Sequence, residues 1–360
     1  MEKKVLITFF KELVNEGGHS RNKAFSEYFG RNGYKIINLK ISNNLFTRLL
    51  TLIKFVFLLV SLKNSHIMIH GNLISSFVML NKFSSRKYGF MIKKFLTVCA
   101  NKNKVFIEIN DLKYEQAIDL EILTYSKKTL DIENDILYKT KGLHYIFASN
   151  SMSLYATEKY ALDINKVYVA INGGNKLNIL SEIKKNTLRS QQLKFVYAGT
   201  LNRGRQIEEM IEIFREIKGS ELHLLGTSGE WLMSYNVPEN VKYVGQLNEK
   251  EAHIYLSKCD IGLIPYESER FYYNLCYPTK ASFYLTSGIP FLSTNLIELK
   301  NVINYRQIAI FADLSDWKRT IEKLDYYSIS ELKRNVESEK KEFEWQSVLE
   351  KLESEIIKGA

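Results

Sequence analysis

The sequence predicts an α/β protein of two similar-sized domains, each a parallel sheet with crossover helices. Three observations predict it. The chain has 360 residues, and domains commonly take about 100–200 residues each. Its composition is that of a folded chain, 45% hydrophobic and 25% charged, with 22 Tyr and 20 Phe against four Pro. Short apolar runs alternate with helical patterns along nearly all of it, as parallel strands require because each pair needs a crossover.

The first strand is the continuous apolar run 5–9, the pattern of a strand buried on both faces. Gly17 and Gly18 open a helix carrying Ala24, Phe25, Tyr28 and Phe29, and Gly33 leads into a second strand at 35–39. A long apolar helix follows at 45–62, then strands at 66–70, 105–109, 145–148 and 167–171. The polar, glycine-bearing INGGNKLNILSEIKKN at 171–186 marks a domain boundary. A second series places strands at 194–198, 221–225, 241–244, 261–265 and 290–293, with helices near 205–217, 249–257 and 279–286. From 328 to 358 a charged helical run carries Phe343, Trp345, Val348, Leu349 and Leu352 at helical spacing. The expected division is 1–172, 173–338 and a C-terminal helix at 339–360.

Charge is distributed unevenly. The net charge is +10, yet residues 1–170 carry 25 basic and 14 acidic side chains while residues 171–360 carry 25 and 26. Within residues 1–107 basic groups outnumber acidic ones 18 to 4. A cationic block of this kind fits nucleic acid, an anionic membrane surface or an anionic small ligand, and its plain alternative is a lysine-rich soluble surface. The block lacks an RNP glycine-aromatic pattern, a zinc finger and a recognition helix, so nucleic acid is not expected. Cys99, Cys259 and Cys276 form no CxxC pair, which predicts a reduced, cytoplasmic chain without disulfides or structural zinc. MEKKVLITFF runs into Glu12, Glu16 and the glycine pair without a small-residue cleavage site, so it reads as a strand and not a signal peptide. The 45–62 helix is long enough to span hydrocarbon but is interrupted by Arg48 and Lys54, which favours a buried or surface-docked helix. His66 and His70 share a strand face about 13 Å apart, at roughly 3.3 Å per residue, too far to share a metal. They are expected to be packing or surface histidines.

Two motifs carry chemistry. FVYAGTLNRGR, residues 195–205, ends a strand in a glycine and follows it with a loop bearing Arg203 and Arg205 ahead of a helix. Guanidiniums at a helix N-terminus beyond a parallel strand suit phosphate oxygens. The loop is neither GxGxxG nor a Walker sequence, which sets dehydrogenases and P-loop enzymes aside. YYNLCYPTKASFYLTSGIP, residues 272–290, places Pro278 and Thr279 to start a helix with Lys280 in its first turn. A lysine there opposes the helix dipole, which points to an anion held jointly by the lysine and the amides, the plain alternative being a lysine that snorkels to solvent.

The order AGTLNRGR, LHLLGTSGEW, NVKYVGQLNEKE, KCDIGLIPY, PTKASFYLTSGIPFLST and FEWQSVLEKL resembles the donor domain of GT-B glycosyltransferases, of the large retaining family 4 type. NEGGHSRNKAFSEYFGRNGYKIINL and the VYVAINGGN hinge resemble the matching acceptor half. The resemblance implies two Rossmann-like domains facing across a cleft, with the C-terminal helix crossing back to the first. It implies a nucleotide-sugar donor, retention of configuration, and no metal or other cofactor. Gly199 and Thr200 match the loop that approaches the diphosphate, Arg205 the slot of a phosphate-binding lysine, and Lys280 the second diphosphate contact. Gly226 and Gly245 match loops bordering the nucleoside, and Arg203, Tyr273, Asn274 and Thr279 complete the donor-binding set. Gly17 and Gly18 match the glycine loop near the donor phosphates and acceptor, and His19 has no assigned role. The family's paired glutamates fall at Leu275 and Phe283, and its usual histidine after strand 105–109 is Asn110, followed by Asp111. Asn110 and Asp111 are expected to orient the acceptor or the transferred sugar, Asp111 alternatively capping a helix.

The expected activity is transfer of a sugar from a nucleoside diphosphate donor, a UDP-sugar first, to a glycan or polyprenyl-diphosphate-linked acceptor. The expected setting is bacterial capsule, exopolysaccharide or O-antigen assembly, at the inner face of the cytoplasmic membrane. In such chemistry the leaving diphosphate accepts the acceptor's proton, so the protein must stabilise charge on that diphosphate, and Arg205 and Lys280 are assigned to it. The cationic block and the 45–62 helix are expected to meet anionic lipid, and a homo-oligomer stays open. Two rivals are a GT-B epimerase and a non-catalytic GT-B subunit, the latter motivated by the missing glutamates.

Overall fold

The computed structural model describes residues 3–9, 17–41, 44–78, 85–122, 126–176 and 192–358. The chain divides into two compact units, Met1–Ile171 with Leu349–Ala360, and Asn172–Val348. The first division therefore falls at 171/172, and residues rejoin the first unit from Leu349 where 339 was expected. The helical run expected over 328–358 is two helices, Tyr326–Glu339 and Trp345–Lys358, with a 3-10 turn at Lys340–Phe343. The break has a backbone cause: the Gly174 amide donates to the Phe343 carbonyl at 2.8 Å, and the Trp345 amide donates to the Gly174 carbonyl at 2.9 Å. A side chain on Gly174 would meet the Ser282 carbonyl at 2.8 Å, so only glycine permits that pairing.

The first unit holds a six-stranded sheet of β1 Lys3–Thr8, β2 Lys35–Asn38, β3 Ser65–His70, β4 Lys104–Ile109, β5 Leu143–Phe147 and β6 Val167–Val169. Its order is β2-β1-β3-β4-β5-β6, with every pairing parallel. The runs Val5–Ile7, Ile67–Ile69 and Val105–Ile107 are buried throughout, as central strands covered on both faces must be. The chain leaves β1 toward β2 and returns to its other side with β3, so the topological switch lies between β1 and β3.

The helix Gly17–Arg31 buries Phe25, Tyr28 and Phe29, with Tyr28 donating to Glu353 at 2.9 Å. The expected apolar helix is Leu45–Ser61, capped by Asn44, whose side chain accepts from the Phe46 and Thr47 amides. It is a surface helix that turns Leu52, Phe55 and Leu59 inward. Among the described residues no helix is long and apolar enough to cross a membrane.

The second unit holds β7 Leu193–Ala198, β8 Ser220–Leu225, β9 Val241–Gly245, β10 Ile261–Ile264, β11 Phe291–Ser293 and β12 Ala309–Phe311. The order is β12-β11-β10-β7-β8-β9, again wholly parallel, with the switch between β7 and β10. The edge strand β12 was not expected, being three half-buried residues without a pattern. The helix Ile207–Glu216 sets Ile207, Met210, Ile211 and Phe214 into a core shared with Phe195, Leu222, Leu263 and Trp317.

The opening between β7 and β10 is closed by Tyr284, on the helix Thr279–Thr286. Its hydroxyl accepts from the Ala198 amide at 2.9 Å and donates to the Leu263 carbonyl at 3.1 Å. Tyr284→Phe orphans both buried backbone groups and is expected to destabilise the second unit by about 1–3 kcal/mol. Urea unfolding read by fluorescence measures it.

Candidate active site

In open parallel sheets, ligands sit beyond the carboxyl ends of the strands, at the switch point. In the second unit this place lies beyond Ala198 of β7 and Ile264 of β10, and Lys280 occupies it. The helix Thr279–Thr286 begins at Pro278 without a side-chain cap, and Lys280, 8% exposed, lies in its first turn. Its Nζ donates to the Tyr266 hydroxyl at 3.0 Å and lies 5.0 Å from the ring centroids of both Tyr197 and Tyr266. Among the described residues no carboxylate lies within salt-bridge distance of it. Burial alone would lower its pKa, but the surrounding Tyr197, Tyr266 and Tyr284 reverse this and hold it above the ordinary lysine range. The result is a buried ammonium with no carboxylate beside it among the described residues.

The glycines predicted for the donor are brought together. Gly199 follows β7, Gly226 follows β8 and Gly245 ends β9, and their loops are joined by backbone hydrogen bonds. The Gly199 amide donates to Leu225, the Leu201 amide to Thr227, and the Gly226 amide to Gly245. A Cβ on Gly199 would fall 2.7 Å from Lys280 Cε and 2.9 Å from its Nζ. A Cβ on Gly226 would fall 1.7 Å from the Gly199 carbonyl oxygen, where backbone cannot give way. The two substitutions are expected to separate. Gly226→Ala should lower the melting temperature, by overpacking worth about 1–3 kcal/mol or more. Gly199→Ala strains a backbone held at φ 157° and displaces the flexible end of Lys280, so it is expected to lower melting less than Gly226→Ala while lowering turnover on the order of tenfold or more.

Arg205 is exposed in the loop after β7. Tyr273 stacks on Tyr266, with centroids 4.8 Å apart and planes 21° from parallel. Burial raises the Tyr273 pKa, while Arg205 and Lys280 both work against the rise, so the two predicted phosphate-binding cations act on one phenol. Glu267 ties the loops after β7 and β10 together, accepting from Gln206 at 2.9 Å and Arg270 at 2.8 Å.

In the first unit the carboxyl ends of β3 and β4 carry a buried polar cluster. Arg21 Nε donates to Glu108 Oε1 at 2.5 Å, and Arg21 Nη1 to the carbonyls of Ala170 at 2.8 Å and Ile171 at 3.3 Å. His70 Nδ1 lies 2.9 Å from Glu108 Oε2. Burial pushes the Glu108 carboxyl up, but the Arg21 charge and the His70 hydrogen bond outweigh it and hold the group at about 2. An ionised carboxylate only accepts, so His70 donates through Nδ1. Its Nε2 and the Thr8 Oγ1 are buried without a hydrogen-bond partner among the described residues. His70 is therefore part of an internal ion-paired network, beyond the packing or surface role expected of it. His66 is half-buried, its ring tilted against Phe106 at 6.1 Å.

Comparison with known proteins places this geometry. Residues 195–347 match the glucosyltransferase 3-like C-terminal domain. Along its length the chain is similar to sucrose-phosphate synthase from Thermosynechococcus elongatus, at 13% identity and TM-score 0.70 over 99% of this chain and 100% of that one. It is also similar to Anabaena HepE solved with UDP and glucose, at 10% identity and TM-score 0.68 over 99% and 100%. The chain has the GT-B glycosyltransferase fold. WaaG, a glycosyltransferase involved in lipopolysaccharide biosynthesis, is similar at 12% identity and TM-score 0.65 over 99% and 100%. A curated relative, an uncharacterized 41.2 kDa protein in the cps region of Klebsiella pneumoniae, is 20% identical over 163 residues, 45% of this chain and 44% of that protein. The match thus spans under half the length of that relative.

Within this GT-B chain the remaining predicted residues divide by what holds them. Thr200 contributes its carbonyl to the Tyr197 hydroxyl at 3.2 Å. Arg203 lies over the Trp231 ring at 4.8 Å and 4.0 Å from Glu208. Asn274 is occupied by backbone, donating to Ser268 and Arg270 and accepting from the Ile297 amide. Thr279 is exposed at the first helical residue. At the two positions where the resemblance would have put glutamates, Leu275 is buried and the Phe283 ring packs edge-on against His253 at 4.5 Å. Asn110 donates to Asp111 at 2.8 Å, and the N-cap of the following helix is Leu112, not Asp111. Gly17 and Gly18 open their helix, while residues 10–16 and the His19 side chain lie outside the described residues. Sequence reasoning missed Tyr197, Tyr266 and Tyr284, whose only signal was position: before Gly199, after Pro265 and four residues past Lys280.

Proposed function

We propose that this chain transfers a sugar, with retention, from a nucleoside diphosphate sugar to a glycan or polyprenyl-diphosphate-linked acceptor in bacterial surface-polysaccharide assembly. One observation carries the reading: a buried lysine ammonium with no carboxylate beside it among the described residues, framed by tyrosines at the β7/β10 switch point of a glucosyltransferase 3-like domain. The tyrosines keep the lysine charged, and with no carboxylate beside it among the described residues that charge is left to meet an anion. A diphosphate is the anion that suits it, with Arg205 reaching from the exposed loop. As the glycosidic bond breaks, negative charge grows on the leaving diphosphate, and the two cations meet it without reorganisation. The diphosphate can then take the acceptor's proton, so the reaction needs neither a carboxylate nucleophile nor a metal. HepE bound to UDP and glucose supports a UDP-sugar donor. The cps-region relative and WaaG support the polysaccharide setting, inside the cell at the cytoplasmic membrane.

The apolar Leu275 and Phe283 favour one second reading, a subunit that supports a partner enzyme without turning over a donor. A panel of nucleotide sugars separates the two. Thermal stabilisation by one donor, with release of its nucleoside diphosphate only when acceptor is present, supports transfer. Neither stabilisation nor turnover, with a partner enzyme dependent on this chain, supports the subunit.

A further inference from the structure

We propose that the outward face of the helix Leu45–Ser61, with the adjoining face of the helix Ser85–Ala100, docks the first unit on an anionic lipid bilayer. The inference deepens the reading above, resting on it for the lipid-linked acceptor that the surface would bring within reach. Phe46, Leu49, Leu50, Ile53, Phe57 and Val60 are all exposed, and their three- and four-residue spacings place them on one stripe. Phe46 and Phe57 are 68% and 69% exposed. The opposite face carries the buried Leu52, Phe55 and Leu59, with Phe55 stacked on Phe77 at 5.3 Å. The stripe is thus surplus to the core, and six apolar side chains in register are more than the scatter of single ones that any surface shows. The helix Ser85–Ala100 packs beside it and presents Phe90, 72% exposed, with the exposed Lys87 and Lys94 at −3 and +4 on the same side.

Charge selects the partner. Between Glu27 and Glu108 the chain has thirteen Lys and Arg and no acidic residue, although 40 of its 360 residues are acidic. Both helices lie within that interval. Beyond Phe90 the helix Lys127–Tyr138 brings Asp131 and Asp135, and Asp135 is held by Lys93 and Lys139. A second copy would set this cationic face against itself, because a two-fold contact pairs like with like. Nucleic acid would meet the lysines and leave the aromatic stripe without a partner. A bilayer satisfies both, the stripe entering the acyl boundary while the lysines meet lipid phosphates. With Leu52, Phe55 and Leu59 held by the core, the helix meets the bilayer side-on and does not cross it.

Co-sedimentation of the full chain with phosphatidylcholine vesicles, with and without phosphatidylglycerol, tests this. Binding is expected to the anionic vesicles, to weaken with salt, and to fall at least about tenfold in Phe46→Gln/Ile53→Gln/Phe57→Gln and in Lys54→Glu/Lys87→Glu/Lys94→Glu. Both variants alter exposed side chains and are expected to keep the wild-type melting temperature and donor turnover on a soluble acceptor. Absent binding, equal binding to neutral vesicles, or binding that both variants retain overturns the proposal. A dimer that the apolar variant dissolves would assign the face to a second copy. Loss of turnover in the wild type would count against the transferase reading alone, since vesicle binding is read without a donor.

Discussion

Replacing Lys280 by methionine is expected to abolish most transfer at only a small cost to the fold. Loss of one preorganised donor to a developing anion costs about 10²–10³ in kcat, close to 3–4 kcal/mol of transition-state stabilisation. The stability half of the expectation comes from the neighbours. Lys280 has no carboxylate among the described residues, so its removal strands no opposite charge, and the Tyr266 hydroxyl loses one hydrogen bond from the ammonium. Methionine keeps the alkyl volume against Tyr197 and Gly199 and gives up the contact of the ammonium with the Tyr197 and Tyr266 rings, worth about 1–2 kcal/mol. Arg205→Ala should lower turnover in the same direction with no change in melting, since Arg205 is exposed. Nucleoside diphosphate release and thermal melting, measured together on both variants, decide it. Near-wild-type release from Lys280→Met would remove the lysine from the donor site. A large fall in its melting temperature would make the lysine structural instead.

How much of this was legible follows from what is local. The strands were read because burial on both faces writes a continuous apolar run, as at Val5–Ile7 and Ile67–Ile69. Lys280 was read because a cation at a helix start contradicts the dipole within one turn of sequence. The grouping of Gly199, Gly226 and Gly245 was read from the motif order. Non-local pairing hid the rest. The break at Glu344 depends on Gly174, 170 residues away, and the tyrosines around Lys280 come from β7, from the loop after β10 and from the lysine's own helix. They meet only because the strand order sets β7 beside β10. Arg203 and Asn274 stand in the expected loops, yet an aromatic face and three backbone groups hold them, which no spacing encodes. The stripe on Leu45–Ser61 was legible as hydrophobicity, but which half of the helix the core takes was not.

Glu108→Gln is the second large effect, and it is a stability effect with a definite pH signature. Arg21 and Glu108 are separated by 87 residues and are almost wholly buried, so the pair joins the helix Gly17–Arg31 to β4, to His70 of β3 and to the backbone at Ala170 and Ile171. Removing the carboxylate leaves the guanidinium charge in the interior without its counter-ion, which costs about 3–5 kcal/mol. Glu108 is held at about 2 against an ordinary 4.5, the depressed case, so its stabilisation is complete above the unfolded value and is lost as pH falls from there toward 2. The wild type should therefore lose urea resistance across that window, by about 3 kcal/mol in full. Glu108→Gln has no such proton to take up, so the gap between the two proteins is widest near neutrality and narrows in acid. A gap constant with pH would mean that the carboxylate is not ionised in the folded chain. Arg21→Met/Glu108→Leu supplies the converse. With both charges gone, the desolvation penalty goes too, and the double variant should be less destabilised than the sum of its single changes.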